Sequence, residues 1–201
     1  VTSFETSAGR VRLPAVTGWW SCSVASKEGF KDDARMEGGF RAIGPGVRIG
    51  HVHLKVADLE RAIGFYRDVL GFEVTQYYGG QAAFLSAGGY HHHIGLNTWE
   101  SAGGNPPPRG STGLFHLAIL YPTRAELADA LRRVLAAGIE LDGASDHGVS
   151  EALYLRDPDQ NGVELYWDRP KEEWPSGGNG ELAMFTRALD LEALLKESKE
   201  R

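Results

Sequence analysis

The stretch Ile49-Gly-His-Val-His-Leu-Lys-Val-Ala-Asp-Leu-Glu-Arg-Ala-Ile-Gly-Phe-Tyr-Arg-Asp-Val-Leu-Gly-Phe72 decides the fold. It opens inside an alternating, β-branched run, Val47–Ala57, that reads as a strand. Asp58 is placed to cap a helix. Over Leu59–Leu70 the residues Leu59, Ile63, Phe65, Tyr66, Val69 and Leu70 form a broad apolar face, and Gly71 stops the helix. Three short strands follow at Phe72–Tyr78, Ala82–Ala87 and Tyr90–Trp99. The Gly79-Gly80 and Gly88-Gly89 pairs between them are hairpin signals.

After a loop rich in Gly, Pro and Ser, Glu100–Thr112, the same order returns. Gly113–Tyr121 is a strand. Thr123 caps a helix over Arg124–Ala137, with Leu127, Leu131, Val134 and Leu135 on one face and Gly138 as its stop. Strands are expected at Ile139–His147, Glu151–Arg156 and Val163–Asp168. The last two are joined by the turn Asp157-Pro158-Asp159-Gln160-Asn161-Gly162. The order β-α-β-β-β therefore occurs twice over residues 47–168, and a repeat of this length speaks for two copies of one structural unit. One unit is an open curved sheet with a helix on its back. Two units side by side form a cup able to hold a ligand. The expected class is α+β, with a domain at 48–168 made of modules 48–100 and 113–168.

The flanks are less informative. Residues 1–47 lack periodicity, with Trp19 and Trp20 followed by Ser-Cys-Ser, and read as an irregular, disordered extension or a segment ahead of a start at Met36. Residues 169–201 read as a Pro/Gly-rich linker and an amphipathic helix, Leu182–Lys196. Its Met184, Phe185, Ala188, Leu189, Leu191 and Leu194 would dock on the domain or on a second subunit.

Composition excludes several roles. A net charge of −6 with no basic patch argues against a nucleic-acid partner. Cys22 is the only cysteine, which rules out an intrachain disulfide and fits a reducing compartment. No apolar run approaches the roughly 18–20 residues that cross a bilayer, and no basic-then-apolar leader opens the chain. The expected setting is cytoplasmic, with no membrane partner.

Three residues stand at matching places in the two repeats: His51 and His116 in the first strand of each, and Glu164 in the last strand of the second. Each is polar among apolar neighbours. A carboxylate buried in a sheet is costly unless it is paired or bound to a cation. Two imidazoles and one carboxylate suit Fe(II), with positions left open for other ligands. The other reading makes them core or pocket residues satisfied by hydrogen bonds. On a strand, alternation would put His91 and His93 on one face and His92 on the other. His53 shares a face with His51.

Residues 48–168 resemble the vicinal-oxygen-chelate superfamily, which includes glyoxalase I, fosfomycin-resistance proteins, methylmalonyl-CoA epimerase and extradiol ring-cleaving dioxygenases. The resemblance rests on Ile49–Phe72 and on Asp157–Glu164, and it places His51, His116 and Glu164 on the family's metal positions. Tyr90–Trp99 and Asp146–Ala152 look most like catechol-2,3-dioxygenase-type proteins. By that resemblance His93, His147 (in His-Gly-Val-Ser) and Tyr154 are catalytic residues beside the metal. It implies Fe(II), with Mn(II) or another divalent metal as the alternative, and a small catechol-like aromatic and O₂ as substrates in aromatic catabolism. Glyoxalase I uses a further carboxylate from the strand that here reads His93–Asn97, where Gly95 or Ile94 takes the place. A different metal-dependent enzyme on the same scaffold (a lyase, or a thiol transferase of the fosfomycin type) and a metal-free small-molecule binder are the competing expectations. Better-known extradiol enzymes carry two pairs of modules. This chain has one, so a homodimer is expected to complete the cup walls.

Overall fold

The computed structural model describes residues 42–197 together with two short strands near the start of the chain. Those strands, β1 (Ser3–Thr6) and β2 (Gly9–Arg12), pair antiparallel as a hairpin. They fall within the extension expected to be irregular, and four residues on each side are too few to show a period in the sequence. Trp19, Trp20, Cys22 and Met36 lie outside the described residues.

The first module contains β3 (Val52–Lys55), α1 (Leu59–Ile63), β4 (Glu73–Tyr78), β5 (Ala82–Ser86) and β6 (Ile94–Asn97). Its sheet has the order β3-β6-β5-β4, with β3 parallel to β6 and the other neighbours antiparallel. Asp58 caps α1 by accepting from the Arg61 N–H at 3.0 Å. The helix then widens into a π-type turn over Gly64–Val69. Ala62, Ile63, Phe65 and Tyr66 are all buried, two adjacent pairs on one face.

The second module repeats the pattern with β7 (Leu117–Leu120), α2 (Arg124–Ala136), β8 (Leu141–Asp146), β9 (Ser150–Arg156) and β10 (Gly162–Asp168). Here β7 runs parallel to β10, and with β11 (Arg187–Ala188) at one edge the sheet order is β11-β8-β9-β10-β7. Thr123 caps α2 through the Glu126 N–H. Each module carries a register shift near the start of its second strand, between Val74 and Gln76 and between Leu141 and Gly143. The two sheets and two helices share one continuous core, including Leu54, Ile63, Tyr66, Leu85 and Leu96 from the first module and Leu127, Leu131, Leu153 and Leu165 from the second. The α+β architecture of two βαβββ modules is therefore the one expected from the sequence.

Several boundaries differ, among them the strand expected over Gly113–Tyr121, which is only Leu117–Leu120 and leaves His116 just ahead of it. The first strand begins at Val52 rather than Val47, and Ile49 is 97% exposed. The strand expected over Tyr90–Trp99 is only Ile94–Asn97, because Gly88 and Gly89 take positive φ and Tyr90–His93 forms the return of the turn. The C-terminal helix is Leu191–Leu195 (α3), not Leu182–Lys196. Its upstream part is extended. Arg187–Ala188 forms β11 against β8, and the Phe185 and Leu189 N–H groups donate to the His147 and Ala144 carbonyls. The unpaired edge of β8 satisfies this segment's backbone groups better than an isolated helix would. Leu194 of α3 is fully buried against the domain.

The turn that closes the second module is fastened to the first. The buried Asp157 carboxylate accepts from the Tyr66 hydroxyl at 3.0 Å, from the Asp159 and Asn161 N–H groups at 2.9 and 2.8 Å, and from Asn161 Nδ2 at 2.9 Å. Asp159 Oδ1 accepts from the Ala57 N–H at 2.8 Å and from Arg61 Nη2 at 2.7 Å. Tyr66→Phe is expected to cost about 1–2 kcal/mol and Asp157→Ala about 3 kcal/mol, since the second strands several buried donors. Urea denaturation reads both, and equal costs for the two would contradict a shared anchor.

Candidate active site

The second module assembles four of the six residues singled out in the sequence. The register of its sheet sets Glu164 beside Tyr154 on one side and Ala118 on the other. His116 precedes β7, and Gly162 lies so close to it that an added Cβ would meet the Phe115 carbonyl oxygen and His116 itself. Only glycine lets the chain pass there. The outcome is a continuous polar chain. His147 Nε2 lies 2.8 Å from the Tyr154 hydroxyl, which donates to Glu164 Oε1 at 3.2 Å, while Glu164 Oε2 lies 2.9 Å from His116 Nε2. The Glu164 side chain is 14% exposed and that of His116 31%, so the pair is sheltered but reachable. Burial first, then the charge and hydrogen bond of Glu164, push the Tyr154 phenol well above its usual range. It remains a neutral donor at any physiological pH.

The first module assembles a different group. The His51 ring packs on His92 with centroids 4.4 Å apart, and His92 also lies 4.9 Å from Phe84. His91 and His92 approach Nδ1 to Nδ1 at 2.8 Å. His93 bonds Ser86 Oγ through Nδ1 at 3.1 Å. Because Tyr90–His93 is a turn and not a strand, the expected alternation of the triplet does not apply. His92, not His93, touches His51, a contact with no signal in the sequence. His53 stands opposite Gly95, and a Cβ on Gly95 would come within 2.9 Å of its ring. Gly95 answers to Glu164 by repeat, since Val52–Ile94 pairing corresponds to Leu117–Val163. Where the second module has a small residue beside a carboxylate, the first has an imidazole lying over a glycine. Glu100, near the end of that strand, pairs with Lys55 at 3.4 Å on the surface.

The two groups do not meet within one chain. Among the described residues, no three His, Cys, Asp or Glu side chains converge on a point where a metal could be held. A divalent cation fits the second module's pair by chemistry: an imidazole nitrogen and a carboxylate oxygen aimed at each other, with His116 Nδ1 buried and unpartnered. His51 does not join them. Sequence reasoning also missed the contacts behind His147. Its Nδ1 lies 3.2 Å from Thr186 Oγ1 and 3.3 Å from the Phe185 carbonyl.

These features define a paired-βαβββ protein with a histidine–carboxylate–tyrosine site on the open face of its second sheet. The chain belongs to the glyoxalase/bleomycin resistance protein/dioxygenase superfamily, whose family model matches residues 48–165. It is 45% identical over 150 residues to catechol-2,3-dioxygenase of Bacillus subtilis (strain 168), covering 75% of this chain and 52% of that protein. It is 37% identical over 123 residues to biphenyl-2,3-diol 1,2-dioxygenase 3 of Rhodococcus globerulus, covering 60% of this chain and 63% of the relative. The chain thus spans between about half and under two thirds of the length of these relatives. A glyoxalase/dioxygenase from Nostoc punctiforme has the same fold, with a TM-score of 0.54 and 18% identity, over 66% of this chain and 99% of that one. No helix among the described residues is long and apolar enough to cross a membrane.

Burial first, then the neighbouring His51, lowers the pKa of both His53 and His92 below the usual 6.5. A depressed histidine leaves the folded state binding fewer protons than the unfolded one, so its contribution to stability holds above 6.5 and is lost as pH falls through the folded pKa. NMR titration is expected to place both midpoints below that value, and His51→Ala to move both upward. Unchanged midpoints in the variant would contradict the cluster.

Proposed function

We propose that this chain is an extradiol-type ring-cleaving dioxygenase that takes a catechol-like aromatic and O₂. The observation that carries the reading is the chain His147–Tyr154–Glu164–His116, which sets an imidazole and a neutral phenol donor directly behind a carboxylate and an imidazole suited to a divalent metal. Its metal, Fe(II) or else Mn(II), would be held by His51, His116 and Glu164. When bound, such a cation supplies positive charge that favours catecholate over catechol and brings O₂ beside it.

The chain's own groups do the rest. His147, behind Tyr154, holds the phenol so that its hydroxyl is a donor toward Glu164 and the substrate side, and the proton leaving the substrate hydroxyl goes to the imidazole of the other wall. The Tyr154 hydroxyl offers a hydrogen bond to oxygen as negative charge builds there. His93, fixed by Ser86, is the acid or base on the other wall. The aromatic flank of the first module (His53, Phe84 and Trp99) suits a flat ring, with His53 5.4 Å from Trp99 and 6.0 Å from Phe84. A lyase or thiol transferase would have less use for the His147–Tyr154 pair, which favours ring cleavage.

The separation of His51 from His116 and Glu164 bears on the partner. The reading includes a homodimer in which the first module of one copy faces the second module of the other, so that His51 and His93 come from one chain and His116, Glu164, Tyr154 and His147 from its partner. Exposed Leu114, Phe115 and Leu120 beside the second half-site, 61%, 64% and 52% exposed, support a covered face.

Anaerobic loading with Fe(II), followed by catechol and O₂, is expected to give oxygen uptake and a yellow ring-fission product. Absence of both across several catechols, with metal bound, would sink the reading. Tyr154→Phe is expected to lower turnover about 10–100-fold with metal retained. His51→Ala and Glu164→Ala should each lose metal, and co-refolding the two should restore one intact site per mixed dimer. If the mixture stays as metal-poor as its parents, the shared site is wrong even where the activity is right.

A further inference from the structure

The matched family region ends at residue 165, yet the segment beyond it reaches the polar chain from behind. Residues 175–197 run as a strap along the edge of the second sheet and are latched along its length. The Phe185 N–H donates to the His147 carbonyl at 3.2 Å and the Leu189 N–H to the Ala144 carbonyl at 3.4 Å, while the Ala183 N–H to Pro175 carbonyl bond, 2.9 Å, braces the strap internally. Gly148 has φ +79, and a Cβ there would strike the Phe185 ring at 2.6 Å and Pro175 at 2.9 Å. Arg187 covers the other part of Phe185, its guanidinium carbon 4.2 Å from the ring centroid. At the far end Leu194 is fully buried, Arg124 Nη1 bonds Glu197 Oε1, and Arg132 donates to the Leu195 and Glu197 carbonyls. A segment held this firmly presents its groups to His147 in a fixed place.

Those groups differ in kind. The Phe185 carbonyl can only accept. The Thr186 hydroxyl can donate as well. With the Phe185 carbonyl alone, Nδ1 must carry the proton, and Nε2 must accept the Tyr154 hydroxyl proton. That takes the proton away from Glu164. With Thr186 donating to Nδ1, Nε2 carries the proton and gives it to the Tyr154 oxygen, leaving the Tyr154 hydrogen free to point at Glu164. The second arrangement makes Thr186, His147 and Tyr154 each donate to the next group and ends on Glu164, at the cost of leaving the Phe185 carbonyl without the Nδ1 proton. We propose that Thr186 is a positioning residue that sets the tautomer of His147, and through it the direction of the hydrogen-bond chain ending on Glu164. Thr186 lies at the surface, so its own oxygen can accept from water while it donates inward.

The effect on turnover rests on the ring-cleavage reading, but the tautomer does not. Full-length chain labelled with ¹⁵N-histidine, with Zn(II) present, reports each imidazole's tautomer in long-range ¹H–¹⁵N spectra, and His147→Gln assigns the signal. The wild-type signal is expected to be that of a ring protonated at Nε2. Thr186→Val is expected to shift it to protonation at Nδ1, and Thr186→Ser to keep it at Nε2. In the Fe(II) enzyme, Thr186→Val should lower kcat about tenfold with KM within about twofold, and Thr186→Ser should restore kcat. A His147 tautomer identical in wild type and Thr186→Val overturns the proposal whatever the activity. A shifted tautomer in a protein that cleaves no catechol leaves the positioning role intact and removes the ring-cleavage reading instead.

Discussion

Two carboxylates in one turn hold the halves of this molecule together. Asp157 gathers the turn onto itself and onto Tyr66, while Asp159 receives the Ala57 N–H just ahead of α1 and the Arg61 guanidinium within it. Burial pushes the Asp157 carboxyl upward against the donors that would lower it. The geometry matters because the strand after the turn is β10, which carries Glu164, and the strand before α1 is β3, which follows His51. Whatever orientation the two half-sites have relative to each other is set by these few hydrogen bonds and by the core they sit on.

Most of the fold was legible because two independent signals agreed twice over. Asp58 and Thr123 announced helices, Gly71 and Gly138 ended them, and the strands were bounded by glycine pairs in the first module and by the Asp157–Gly162 turn in the second. What failed was local register at places governed by distant partners. The Tyr90–His93 turn looks like strand in the sequence because its residues suit one, and only the positive φ of Gly88 and Gly89 removes it from the sheet. Residues 182–189 have helical periodicity, yet the vacant edge of β8 claims them, and a sequence does not display a vacant edge.

The grouping of candidate residues was legible in the second module. His116, Glu164, Tyr154 and His147 stand together, the first two read from repeat-matched positions and the other two as catalytic candidates from the family resemblance. In the first module it was not, since His92 reaches His51 from a turn and His53 lies over a glycine, and neither contact follows from spacing. Thr186 carried no signal either: a threonine in an extended surface segment acquires meaning only once the imidazole beneath it is known. The internal repeat explains why one module holds a carboxylate and the other does not, because the residue matched to Glu164 is Gly95 and its space is filled by a ring.

The strap also fixes where this polypeptide can be cut. Ending the chain where the repeats end would leave β8 with a bare row of amides and carbonyls, a template on which another molecule's strand could settle. Burying Leu194 and pairing β11 makes residues 169–197 part of the cooperative folding unit rather than a tail. Amide exchange in β8 should therefore be as slow as in the sheet interior.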